Sequence, residues 1–158
     1  MISILGIEFS GIASWSVTAS SSSTFPEYVI DGRTAAESPN LLNCFSTQSE
    51  DTAWLKIDLD SVYTVDSVVV YLALHEDMTP ANQDAKKASL VSVVVQAGLE
   101  LEDQTLCGRV EAPPKSNPLV VACGSGVQAR HLTLERTQPG ALELCEIAIV
   151  GEKRFISE

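Results

Sequence analysis

The side chains able to do chemistry are few in kind: 21 carboxylates, 10 lysines and arginines, two histidines and four cysteines. The cysteines stand at 44, 107, 123 and 145. They form no Cys-x-x-Cys, and no histidine sits at zinc-ligand spacing beside them, so a zinc site is not indicated. An even set of dispersed cysteines points to disulfides. Of the three connectivities open to it, the nested one is favoured, with Cys107–Cys123 inside Cys44–Cys145. On chain-entropy grounds the short loop would contribute about 3 kcal/mol and the long one about 4.7 kcal/mol. Bridges of this kind form in oxidising compartments, so the expected setting is secreted, cell-surface or lumenal.

The remaining groups do not make a catalytic constellation. Carboxylates are plentiful, and two close together are the minimum for glycoside hydrolysis. Yet nothing pairs a nucleophile with a base, and Ser, His and Asp show no recognisable arrangement, so no enzyme is expected. His131 lies in a strand pattern and reads as structural; His75 sits in a polar segment and is a candidate ligand contact. A net charge of −11 argues against nucleic acid and against an anionic lipid surface, both of which reward clustered Lys and Arg. No run approaches the roughly 18 apolar residues of a membrane span. The segment 2–12 is apolar but short, carries Glu8 and lacks a basic start, so it does not read as a signal peptide.

The elements that must position these groups are strands. In Trp54–Leu59, Leu55, Ile57 and Leu59 fall on one face and Lys56 and Asp58 on the other, the pattern of a half-buried strand. Val65–Leu72, rich in β-branched residues, reads as a central strand, and Leu90–Gln96 repeats it before stopping at Ala97-Gly98. Leu119–Cys123, Arg130–Arg136 and Leu144–Val150 complete the set, with Gly124-Ser125-Gly126 and Gln138-Pro139-Gly140 as turns. Ser20–Ser23 belongs to an early strand and loop. Helical periodicity is almost absent, and Trp15 and Trp54 read as core residues. The expected fold is an all-β jelly-roll sandwich of about eight strands in one domain spanning 1–158, its core about 11–151, with binding loops at the sandwich ends.

One ordered constellation is more specific. Val17–Ser22 precedes Val29-Ile30-Asp31-Gly32; then come Cys44, Trp54–Leu59, Val62–Val65 and finally Leu144-Cys145-Glu146-Ile147. This order resembles the F-type lectin (fucolectin) domain, a relative of the discoidin and coagulation-factor C-type domains. The resemblance implies the nested disulfide pairs and a structural Ca²⁺. It assigns the ion to the side chains of Asp31 and Glu146 and the carbonyl of Cys145, with backbone oxygens near Tyr28, Arg33 and Asn43. Such a set suits a cation that takes 6–8 hard oxygen ligands, many of them carbonyls.

The chain departs from the family at the sugar. There, fucose is held by a histidine just after the first cysteine and by two arginines flanking an Asp-Cys-Cys motif. Here Phe45, Ser46 and Thr47 follow Cys44, and 72–89 contains no arginine and no vicinal cysteines. Lys86 or Lys87 stands as a single flexible charge where the family has a planar guanidinium fork. Two functions follow. The first is a carbohydrate-binding module whose loops 45–53 and 72–89 hold a glycan or glycoprotein through Ser46, His75, Glu76, Asp77, Lys86 and Lys87. The second is a protein adhesion or assembly module that has lost sugar binding. Either would be one domain of a larger secreted or surface protein.

Overall fold

The computed structural model describes residues 7–22, 24–34, 44–74 and 77–154. Along these the strands are β1 (Ile7–Phe9), β2 (Ser16–Ala19), β3 (Phe45–Ser46), β4 (Ala53–Tyr71), β5 (Val93–Glu100), β6 (Asp103–Arg109), β7 (Leu119–Arg136), β8 (Glu143–Leu144) and β9 (Glu146–Lys153). A 3₁₀ turn (Pro26–Ile30) precedes β3, and a helix, α1 (Pro80–Ala88), lies between β4 and β5.

Two long strands organise the fold. β4 and β7 pair antiparallel from Ala53↔Arg136 to Asp58↔His131, and again from Tyr63↔Ala129 to Val70↔Leu119, with irregularities between. At the first break Asp60 adopts φ 61°, a left-handed turn steadied by its N–H donating to Asp58 Oδ1 at 2.8 Å. The first half of β4 carries β2 on its free edge, and the matching half of β7 carries β5 and then β6. The second half of β4 carries β9 and then β1. Leu55, Ile57 and Leu59 from the first half meet Val65, Val68 and Val70 from the second, with Leu132, Leu134, Ile147 and Ile149, in a single apolar cluster. The chain is thus an all-β sandwich, whose two halves share the long strands.

Burial of apolar side chains drives this closure. Each fully buried Leu, Ile or Val contributes roughly 1.5–3 kcal/mol relative to exposure, and alternation along β4 sends one side chain in two inward. Both disulfides join the expected partners, Cys44–Cys145 and Cys107–Cys123. Trp15 is core as expected, with its indole N–H donating to Tyr63 Oη at 3.3 Å.

Several expectations need correction. Trp54 is not core: it shares the outward face with Lys56, whose ammonium lies 4.5 Å from the ring centroid. The patterns at 54–59 and 65–72 are one strand, as are 119–123 and 130–136. Gly124-Ser125-Gly126 therefore bulges a continuing β7 instead of ending it, with Gly124 at φ 73° and Gly126 at φ 95°. β5 starts at Val93 and runs through Gly98 to Glu100. The polar strand β6 and the helix α1 were not expected from the pattern.

Candidate functional site

The Cys44–Cys145 bridge ties the segment before β3 to the start of β9, and both ends of the proposed calcium set lie beside it. Asp31 closes the 3₁₀ turn and accepts the Arg33 N–H at Oδ1, 2.8 Å away. Gly32, at φ 85°, turns the chain so that its own N–H donates to Glu146 Oε2 at 3.0 Å. Gly11 backs this contact: a Cβ there would stand 2.8 Å from the Gly32 Cα, so only glycine permits the approach. Glu146 has no exposed surface, whereas Asp31 is exposed. Burial pushes the Glu146 carboxyl up to about 9; the neighbouring Asp31 carboxyl adds to this, while the Gly32 and Gly11 N–H groups oppose it.

This corner fits a cation. Among the described residues Glu146 Oε1 is buried with no hydrogen-bond partner, and a buried carboxylate left so is costly unless protonated or paired with positive charge. Among the described residues no group of three or more His, Cys, Asp or Glu is gathered, so further ligands would be backbone oxygens, as Ca²⁺ accepts. Cys145 is buried next to Glu146, and Tyr28 and Arg33 lie on the 3₁₀ turn and just after it. Asn43 lies outside the described residues.

The second group sits where β3 and β8 form a two-residue ribbon, Phe45↔Leu144 and Ser46↔Glu143. Ser46 is held by its N–H donating to Thr24 Oγ1 at 3.1 Å, and that hydroxyl donates onward to the Cys44 carbonyl at 3.0 Å. Lys86 of α1 reaches across to pair with Glu143, both side chains about three-quarters buried. Ser46, Glu143 and Lys86 are therefore brought to one place. Lys87 is half-buried on the same helix, and Asp77 is exposed in the turn before it. His75 and Glu76 lie outside the described residues.

Helix α1 is fixed at both ends. Thr79 caps its start, accepting the Asn82 N–H at 3.2 Å, and Pro80 occupies the first helical position, where its missing N–H costs nothing. Past its end, Arg136 forks to three carbonyls: Nη1 donates to Ser89 at 3.0 Å and Ala141 at 2.7 Å, and Nη2 to Pro139 at 3.1 Å. This clamp joins the helix to the turn before β8. In the loop 45–53, Glu50 Oε2 accepts from Ser20 Oγ at 2.7 Å and Ser21 Oγ at 2.6 Å, and these hydroxyls hold its carboxyl below the usual range. Glu143, Glu50 and Arg136 went unnoticed in the sequence, where each is one charge among many. Thr79-Pro80 was the readable signal for the helix that carries Lys86.

His131 lies in β7 as expected, opposite Asp58 on the outward face of the sheet.

With this geometry in view, the similarities of the chain are informative. Residues 28–134 match the family described as NedA-like, galactose-binding domain, of F5/F8 type C. No curated protein sequence matches the chain. Among solved structures, the lectin domain of lectinolysin complexed with Lewis B antigen superposes with a TM-score of 0.70 at 21% identity, covering 92% of this chain and 94% of that one. The fucolectin from striped bass (Morone saxatilis) serum gives 0.71 at 20% identity, with 88% of this chain covering 47% of that one. The family 32 carbohydrate-binding module of Clostridium perfringens NanJ, in complex with galactose, gives 0.67 at 15% identity, over 91% and 99%. The fold is that of the discoidin-like F-type lectins.

Proposed function

Because the chain belongs to the NedA-like, galactose-binding domain family, we propose that it is a non-catalytic module that binds a glycan through loops 45–53 and 72–89. The carrying observation is the convergence of Ser46, Glu143 and Lys86. An ammonium and a carboxylate side by side offer donors and an acceptor together, which is what two adjacent sugar hydroxyls require. Ser46 adds a hydroxyl, and Asp77, Lys87, His75 and Glu76 of the segment 72–89 are the further candidate contacts. The lectinolysin domain and the NanJ module, which carry Lewis B antigen and galactose, support the ligand class.

Calcium completes the reading as a brace. Asp31 and Glu146 would hold the ion with the Cys145 carbonyl and backbone oxygens near Tyr28, Arg33 and Asn43. The ion would supply positive charge to a buried carboxyl that otherwise keeps its proton. Two disulfides and this brace suit a secreted or surface protein.

A screen of diverse glycans, run in calcium and in EDTA, tests the proposal: at least one neutral glycan is expected to bind, more weakly after chelation. The absence of arginine from 72–89 favours the competing reading, a protein partner at the same end. That reading predicts a silent screen with folded, calcium-loaded protein.

A further inference from the structure

Away from the loop end, the outward face of the sheet carries a groove of about 210 Å³. Strand register explains its walls. Side chains directly opposite one another share a face, so Ser16 of β2, Asp58 of β4, His131 of β7 and Gly98 of β5 form one row across four strands. Thr18 and Lys56 stand in the next row. The row ends at a glycine for a steric reason: a Cβ on Gly98 would lie 2.5 Å from the Asp103 carbonyl oxygen and 2.8 Å from the Gln104 Cα. The β5–β6 hairpin thus folds close over Gly98, and Leu101 at its tip forms the apolar wall while staying 50% exposed.

We propose that this groove is a second binding site, for one neutral pyranose-sized polyol. Its volume lies below the roughly 300 Å³ at which ordinary small-molecule pockets begin, which limits the occupant to about one ring. Apolar lining from Leu101, Val17 and Ile57 is joined by hydroxyls, a carboxylate and an imidazole from Ser16, Thr18, Asp58 and His131, the pairing that a sugar with one apolar face and a hydroxyl rim requires. The groove's carboxylate already has a counter-ion. Arg130 donates to Asp58 from Nε at 3.0 Å and from Nη2 at 3.4 Å, and Lys56 lies over the Trp54 ring. A cationic ligand would find Asp58 already paired, and the Lys56 ammonium remains as a donor to a hydroxyl. The site is distinct from the loop end, since Asp58 lies five residues beyond Ala53 on β4, about 17 Å along the strand.

The test is a titration of ¹⁵N-labelled protein with D-galactose and D-glucose, and in parallel with D-glucuronate and D-glucosamine. Amide shifts at 16–18, 56–58, 101 and 131 are expected with at least one neutral hexose in the millimolar range. In Leu101→Ala and in Thr18→Ala, both at exposed positions, the affinity for that hexose should fall about tenfold. A dispersed spectrum otherwise like wild type shows the fold intact. Shifts confined to 45–53 and 72–89 would overturn this site while leaving the loop-end reading standing, and shifts at the groove alone would do the reverse. Affinity unchanged in both variants, or a stronger response to either charged sugar, would also overturn it.

Discussion

Glu146 is the buried charged side chain among the described residues, and its surroundings say what it needs. Two backbone N–H groups favour its ionised form, but burial and the Asp31 carboxyl outweigh them, so without a cation it holds its proton at neutral pH. Glu146→Gln removes the ionisable oxygen and keeps the shape. In EDTA the variant should melt at or above the wild type. With calcium at about 100 times its Kd, the wild type should gain about 2.7 kcal/mol, or about 5–10 °C in Tm, while the variant gains little. Thermal melts check this; equal gains in both proteins, or none in either, would remove the ion from this corner. At this scale the sequence was legible where a motif carried the residue, as with Asp31-Gly32 and Cys145-Glu146. It misled at Trp54, although the same alternation that buried Leu55 and Ile57 already set Trp54 with Lys56 and Asp58 on the opposite face. Size and hydrophobicity suggested burial, but the lysine stem and ammonium cover the ring on the outside.

At the scale of the element, α1 decides whether the loop end is built. The helix has no buried residue, so it shows no apolar stripe, and periodicity could not reveal it. Its order rests on the Thr79 cap, the Lys86–Glu143 pair and the Arg136 clamp. Thr79→Ala should cost about 1 kcal/mol of helix stability. The expected result is faster hydrogen exchange at 82–88 and weaker glycan binding, with the Tm of the sandwich within about 2 °C of wild type. Unchanged exchange would mean that the Lys86–Glu143 pair and the Arg136 clamp order the helix without the cap. β6 was hidden for a related reason: it is an edge strand with polar residues facing water, so its pairing to β5 leaves little trace in alternation. β4, buried on one side for most of its length, was legible in both halves, but its bend at Asp60 depends on a left-handed residue that no local signal marks.

For the molecule as a whole, the two bridges act over different lengths. Cys44–Cys145 closes 101 residues of sequence separation and Cys107–Cys123 closes 16. Replacing both members of the long bridge with serine should cost about 4.7 kcal/mol, against about 3 kcal/mol for the short one. Urea unfolding of the two double variants reads the difference, and a short-bridge variant that is the less stable would contradict it. The long bridge also couples the Asp31–Glu146 corner to the β3–β8 ribbon, so its loss should weaken glycan binding where loss of the short bridge does not. The overall architecture was readable because disulfide spacing, strand alternation and the terminal Leu-Cys-Glu agree. At the loop end Ser46 and Lys86 were named from their loops, but Glu143, which meets both, was not, because α1, β3 and β8 lie far apart in sequence and are joined only by the fold.

Glycan recognition at that end is most directly tested by calorimetric titration of the tightest glycan from the screen into wild type, Lys86→Ala and Glu143→Gln, all loaded with calcium. The expected result is measurable binding by wild type and a loss of about tenfold or more in each variant, with Tm values little changed. Equal affinity in all three folded proteins, or no binding by wild type at any accessible concentration, would contradict the assignment.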